Sequence, residues 1–118
     1  CCMVIGVDGG KPRLFVTEPS GVQSEWVATS VGRGGKTVRE FLERSVKYED
    51  GDVADTEKCV RLAVQSLLEV VQNGAAGMEL SVLHADRPTE LETVSTERIQ
   101  AIIDDLERER AEEAERRR

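Results

Sequence analysis

Aromatic side chains are scarce in this 118-residue chain: Phe15, Trp26, Phe41 and Tyr48 are all it has, 3% of the residues. Burial therefore falls to Val, Leu, Ile and Ala, and base-stacking platforms for single-stranded nucleic acid are missing. Clustered positive charge is equally short. The net charge is −7, and only Arg116, Arg117 and Arg118 make a basic run, so phosphate-backbone binding is not expected. No apolar run approaches the length of a membrane span. The apolar start Cys1–Ile5 lacks the basic flank and length of a signal peptide. Three cysteines, two of them adjacent, make no disulfide framework, and one histidine leaves a zinc site short of ligands. Reduced thiols and an intracellular setting are expected. The first residue is Cys and opens inside an apparent strand, which suggests processing or a fragment.

What is present reads as one α+β domain. Cys2–Ile5 is an apolar strand, ended by the turn-rich Gly6–Pro12, and Arg13–Thr17 is a second strand closed by Pro19-Ser20-Gly21. Val22–Val31 alternates as a third, giving an antiparallel meander. Gly32-Arg33-Gly34-Gly35 opens a helix over about Lys36–Val46, with Val38, Phe41, Leu42 and Val46 on one face. Tyr48–Ala54 is a polar loop. Asp55 or Thr56 caps a second helix reaching about Gln72, stopped by Asn73-Gly74. Its apolar set, Val60, Ala63, Val64, Leu67, Leu68, Val70 and Val71, is wide enough to be pressed from more than one side. Met78–His84 and Glu90–Val94 are strands around the Asp86-Arg87-Pro88 turn. Ser95 or Thr96 caps a last helix with Ile99, Ile102, Ile103 and Leu106 buried. Residues 107–118 are charged on every side and form an exposed helix extension or a frayed tail. The order βββααββα predicts helices over one face of an antiparallel sheet. Because most strands carry apolar residues on both faces, the sheet also needs cover that this chain does not obviously supply, and an exposed apolar patch is expected.

Several groups invite chemical readings. Gly32-Arg33-Gly34-Gly35-Lys36-Thr37 imitates a phosphate loop, but Ser30 stands where the pattern needs its first glycine, so the glycines read as backbone requirements of a tight turn. His84, beside Asp86, reads as a surface histidine with no nucleophile placed near it. Asp8 is expected to accept local backbone bonds in its turn. Asp104-Asp105 and Glu112-Glu113 are adjacent pairs that splay around a helix and read as a solvated face. Arg116–Arg118 reads as a solvated helix end, with a partner contact or a weak import signal as the functional version. No catalytic, cofactor-binding or metal-binding residue is assigned, and no cofactor is expected.

Gly6-Val7-Asp8, then Pro12-Arg13-Leu14-Phe15 running to Glu18-Pro19-Ser20-Gly21, resembles the middle of proteasome alpha subunits. Ala28-Thr29-Ser30-Val31-Gly32 fits the family's next strand. Gly32–Glu43 and Leu67–Gly74 are most similar to the subunit at the fourth position of the eukaryotic alpha ring. The resemblance covers about residues 3–110 and begins halfway along the family's chain. It implies a partial αββα sandwich of the N-terminal-nucleophile hydrolase type, with 1–106 as the C-terminal half of a subunit domain and 107–118 as a charged extension. It further implies a non-catalytic structural subunit of the 20S core in ubiquitin-dependent protein degradation. The implied partners are the other alpha subunits of a hetero-heptameric ring, the beta rings and, through the complete ring, the regulatory particle. Neither nucleic acid nor membrane is among them, and cytoplasm and nucleus are the implied locations. The alternative is a small amidohydrolase attacking through Cys1, whose side chain and free α-amine would supply nucleophile and base. Against it, the resemblance places Cys1 and Cys2 within a strand, where a buried pair is expected, and no nearby lysine is identifiable.

Overall fold

The structure, a computed structural model, describes residues 1–45 and 56–117. The polar loop expected at Tyr48–Ala54, the Asp55 cap, and Val46 at the end of the first helix lie outside the described residues. The elements are β1 (Cys2–Asp8), β2 (Lys11–Thr17), β3 (Gln23–Trp26), α1 (Gly35–Ser45), α2 (Thr56–Leu67), a 3₁₀ turn (Gly74–Gly77), β4 (Leu80–Leu83), β5 (Leu91–Val94) and α3 (Thr96–Arg116). Apart from the short 3₁₀ turn, this is the expected βββααββα order. The strands, however, form two antiparallel sheets where one was expected: β1-β2-β3 and β4-β5.

β1 and β2 are longer than expected. They pair without a break from Cys2↔Thr17 to Asp8↔Lys11, so the turn shrinks to Gly9-Gly10. Both glycines hold positive φ, 58° and 81°, the backbone that a two-residue hairpin loop requires for its twist to match the strands. β3, expected over Val22–Val31, is shorter, pairing only from Leu14↔Trp26 to Thr17↔Gln23. Continued in register, Ala28 would meet Pro12, which has no N–H for the ladder. The chain instead leaves the sheet after Trp26 and carries Ala28 to the small cluster Val38, Phe41 and Leu42 on α1.

α2 ends five residues before the expected Gln72. The N–H of Val70 reaches back three residues to Leu67 O, a tightened last turn. Gly74 does take positive φ, 60°, but it opens the 3₁₀ turn and does not cap α2 directly. At α3 the choice between caps is resolved: Ser95 Oγ accepts from the Arg98 N–H at 3.2 Å.

The main core lies in the C-terminal part. Val60 and Val64 of α2, Ala75, Met78, Leu80 of β4, Val94 of β5, and Ile99, Ile103 and Leu106 of α3 form one buried cluster. Val64 and Ile99 are essentially sealed from water, at 0% and 1% exposure. The first sheet contributes a single buried apolar residue, Val16. The solvent-accessible surface is 8632 Å², against about 6,300 Å² for a compact monomer of 13.0 kDa. The radius of gyration, 15.4 Å, likewise exceeds the roughly 13.5 Å of a compact chain of this length.

Candidate interaction surface

The pleat gives the first sheet two chemically different faces. Register aligns Ile5 with Leu14 and Leu14 with Trp26, and beside them Met3 with Val16. This face is apolar, and much of it is open: Ile5 is 54% and Trp26 40% exposed. The indole keeps its polar atom satisfied by donating Nε1–H to Ser24 Oγ at 2.8 Å. The far wall is supplied by Cys59 of α2 and Leu83 of β4, leaving a cleft of about 650 Å³ that they do not fill. The expected exposed apolar patch is therefore present, and Val4, Val22, Val27 and Val31 enlarge it. Exposed, contiguous apolar surface of this kind marks a place where something else packs.

The opposite face carries a charge ladder. Arg13 Nε and Nη2 donate to the two carboxylate oxygens of Glu25 at 2.8 and 2.9 Å, and Nη1 donates to Asp8 Oδ2 at 3.1 Å. The same guanidinium lies 4.9 Å from the centre of the Phe15 ring. Its bonds to Glu25, and then to Asp8, hold the Arg13 proton more tightly than usual, and Arg13 in turn holds the Glu25 carboxyl below its ordinary range. Asp8 thus pairs with a side chain across the strands; its expected backbone turn bonds would need a longer loop than Gly9-Gly10 allows.

Each of the other candidate residues has a packing or pairing role. In the turn before α1, Gly32 and Gly34 hold φ of 93° and 75°, and a Cβ on Gly34 would sit 3.0 Å from Val70 Cγ1. Ser30 Oγ donates to Gly35 O at 2.5 Å, and Arg39 Nη1 donates to Ser30 O at 2.8 Å, so the loop is occupied by its own bonds. His84 is half-buried, not on the open surface, and its partner is Glu92 across the hairpin, at 3.0 Å, in place of neighbouring Asp86. Glu92 also faces Arg98, which pairs with Glu57, so one guanidinium joins β5, α3 and α2.

Asp105 departs from the solvated face expected for it. Arg61 Nη1 donates to Asp105 Oδ2 at 2.7 Å and Nη2 donates to Glu109 Oε2 at 2.5 Å, tying α2 to α3. Hydrogen bonding from Arg61, ahead of the nearby Arg108 charge, lowers the Asp105 pKa. Asp104 stays exposed and accepts from Gln100. Glu112 and Glu113 are exposed on the helix beyond Leu106, with Glu113 taking a bond from Arg117.

Cys1 and Cys2 are exposed, where a buried pair was expected, because β1 is an outer strand with no layer against it; Cys59 is partly buried in α2, and none of the three forms a disulfide. Lys11, the first lysine, lies opposite Asp8 at the other end of β1, roughly 20 Å from the Cys1 end. Among the described residues no group of three or more His, Cys, Asp or Glu is placed to hold a metal ion, and no helix is long and apolar enough to cross a membrane. Sequence reading missed the Arg13, Arg61 and Arg98 pairings. Their partners stand 5 to 48 residues away, and no local spacing rule announces them.

The arrangement described is suited to packing and docking. Comparison with known proteins points the same way. Residues 1–84 match the family described as proteasome subunit. Over 111 residues the chain is 39% identical to proteasome subunit alpha type-8 of Mus musculus, covering 93% of this chain and 43% of that protein. Proteasome subunit alpha type-4 of Saccharomyces cerevisiae is 43% identical over 100 residues, 85% of this chain and 38% of that one. Proteasome subunit alpha type-7 of Trypanosoma brucei brucei is 40% identical over 111 residues, covering 94% and 42%. The chain thus spans less than half the length of these curated relatives.

Proposed function

We propose that this chain, which belongs to the proteasome subunit family, serves as the C-terminal half of an alpha subunit in the outer ring of the 20S core. The observation that carries the reading is the 39–43% identity to alpha subunits of an animal, a yeast and a trypanosome, sustained over 85–94% of the chain. The role is structural and non-catalytic. The residues that drew attention as chemistry are engaged in turns, helix ties and strand ladders, and Cys1 has no lysine on its own end of the strand. The open apolar face of β1–β3 supports a part in a larger layered assembly, because exposed apolar surface on this scale is stable only when covered. Partners on this reading are neighbouring alpha subunits, the beta ring and, through the complete ring, the regulatory particle, in the cytoplasm and nucleus. Ring position four rests on Gly32–Glu43 and Leu67–Gly74. Residues 1–106 form the subunit part and 107–118 a charged extension.

The test is incorporation. The chain, epitope-tagged at its C-terminus, is co-expressed with the remaining alpha and beta subunits, and native particles are separated by size. Co-migration with ring-sized particles, in stoichiometric amount, is the expected result. A chain that stays free while complete rings assemble from the others overturns the reading.

A further inference from the structure

β1 has only β2 as a neighbour, so among the described residues its outer edge presents unpaired backbone N–H and C=O groups along seven residues. Proteins ordinarily blunt such an edge with charge, proline, a bulge or a covering loop. Neither of the first two is present here: residues 1–7, Cys-Cys-Met-Val-Ile-Gly-Val, carry no charged side chain and no proline, and the first charge is Asp8. Nor is there a bulge, because the register with β2 is unbroken. Met3, Val4 and Ile5 are all exposed.

We propose that two copies of this chain join through that edge, β1 antiparallel to β1 and centred on Ile5, so that two three-stranded sheets become one of six strands. The pattern is self-complementary about Ile5. Met3 then faces Val7 of the second copy, Val4 faces Gly6, and Ile5 faces itself, with no like charges opposed. The cleft-side residues Met3, Ile5 and Val7 of the two copies form one continuous apolar face. Surface area is sufficient: each chain exposes about 2,300 Å² more than a compact monomer of its size, while a stable interface needs only about 800 Å² per partner. The net charge of −7 on each copy opposes approach, but it acts across a Debye length of about 8 Å at 0.15 M salt. Added salt therefore tightens the dimer. The inference concerns the edge of the 118-residue chain and stands apart from its incorporation into a ring.

Sedimentation equilibrium on the whole chain, at 0.15 M and 0.5 M NaCl, tests it. A reversible monomer–dimer equilibrium, about twofold or more tighter at the higher salt, is expected. Ile5→Lys sets two ammonium groups against each other at the centre and weakens association by about tenfold or more. Leu91→Lys, an equally exposed apolar site on the other sheet, leaves it unchanged. A second variant, Ile5→Cys with Cys1→Ser and Cys2→Ser, is treated with oxidised glutathione as the oxidant. It yields a disulfide-linked dimer, since residues directly opposed across an antiparallel pair come within bridging range. A chain that remains monomeric throughout overturns the proposal. So does open-ended aggregation without a discrete dimer, or a dimer that survives Ile5→Lys with unchanged circular dichroism and gives no cross-link in the Ile5→Cys variant.

Discussion

The two sheets of this molecule bury very different amounts of themselves. β4-β5 lies on α2 and α3, with Leu80 and Val94 inside a cluster that includes the sealed Val64 and Ile99. The first sheet has more strands and longer ones, yet buries only Val16 and leaves Met3, Val4, Ile5 and Trp26 in solvent. Backbone pairing is satisfied in both, so hydrogen bonding does not separate them. Side-chain burial does: apolar area removed from water dominates folding stability, and the larger sheet has yet to gain most of its share.

That contrast can be broken or sharpened by substitution. The largest effect belongs to the core: Ile99→Ala lowers stability by about 2–5 kcal/mol through lost burial and the cavity left behind, whereas Ile5→Ala, measured below the association range, costs less than about 0.5 kcal/mol. Urea midpoints of the two variants check this, and equal losses would dissolve the distinction. Next is Gly34→Ala, roughly 1–2 kcal/mol, because the new Cβ meets Val70 at 3.0 Å on a backbone of φ 75°. Gly10→Ala shares the positive φ but meets nothing within 4 Å, so it loses about 1 kcal/mol from backbone strain alone.

Arg61→Ala follows at roughly 1 kcal/mol, a half-exposed tie between helices. Its pH dependence has a definite sign. Asp105 is held below its ordinary value of 3.8, so the folded state favours the carboxylate, and the contribution is complete above that value. It is lost as pH falls through the depressed folded value, and the gap between wild type and Arg61→Ala closes under acid. The smallest effect is at the exposed ladder. Arg13→Ala shifts the urea midpoint within experimental error, since solvent and salt screen such pairs.

Much of this was readable from residue order. Alternation and helical spacing placed all eight main elements, because Val38, Phe41, Leu42, Ile99, Ile103 and Leu106 sit where those periods require burial. The family too was legible, in Gly6-Val7-Asp8 and Gly32–Glu43. Element ends were harder. Pro12 limits β3 from across the sheet, an effect invisible until register is known, and Gly6–Asp8 looked like turn when the hairpin needed only Gly9-Gly10. Asp105 looked solvated because nothing in its own helix reveals that Arg61, 44 residues earlier, will reach it. Cys1 and Cys2 looked buried because a strand of apolar residues usually has two covered faces, and this one is at an edge.

The Arg13–Glu25 contact spans 12 residues, while Glu57–Arg98 spans 41. Pairings close in sequence form fast and distant ones slowly, so the meander can zip up long before α2, the hairpin and α3 find each other. On a ribosome adding about 5–20 residues per second, the stretch after Trp26 takes roughly 5–20 s to emerge. For that interval the nascent chain displays a finished, uncharged strand margin and no core, which makes it a natural client for a chaperone that grips extended apolar segments.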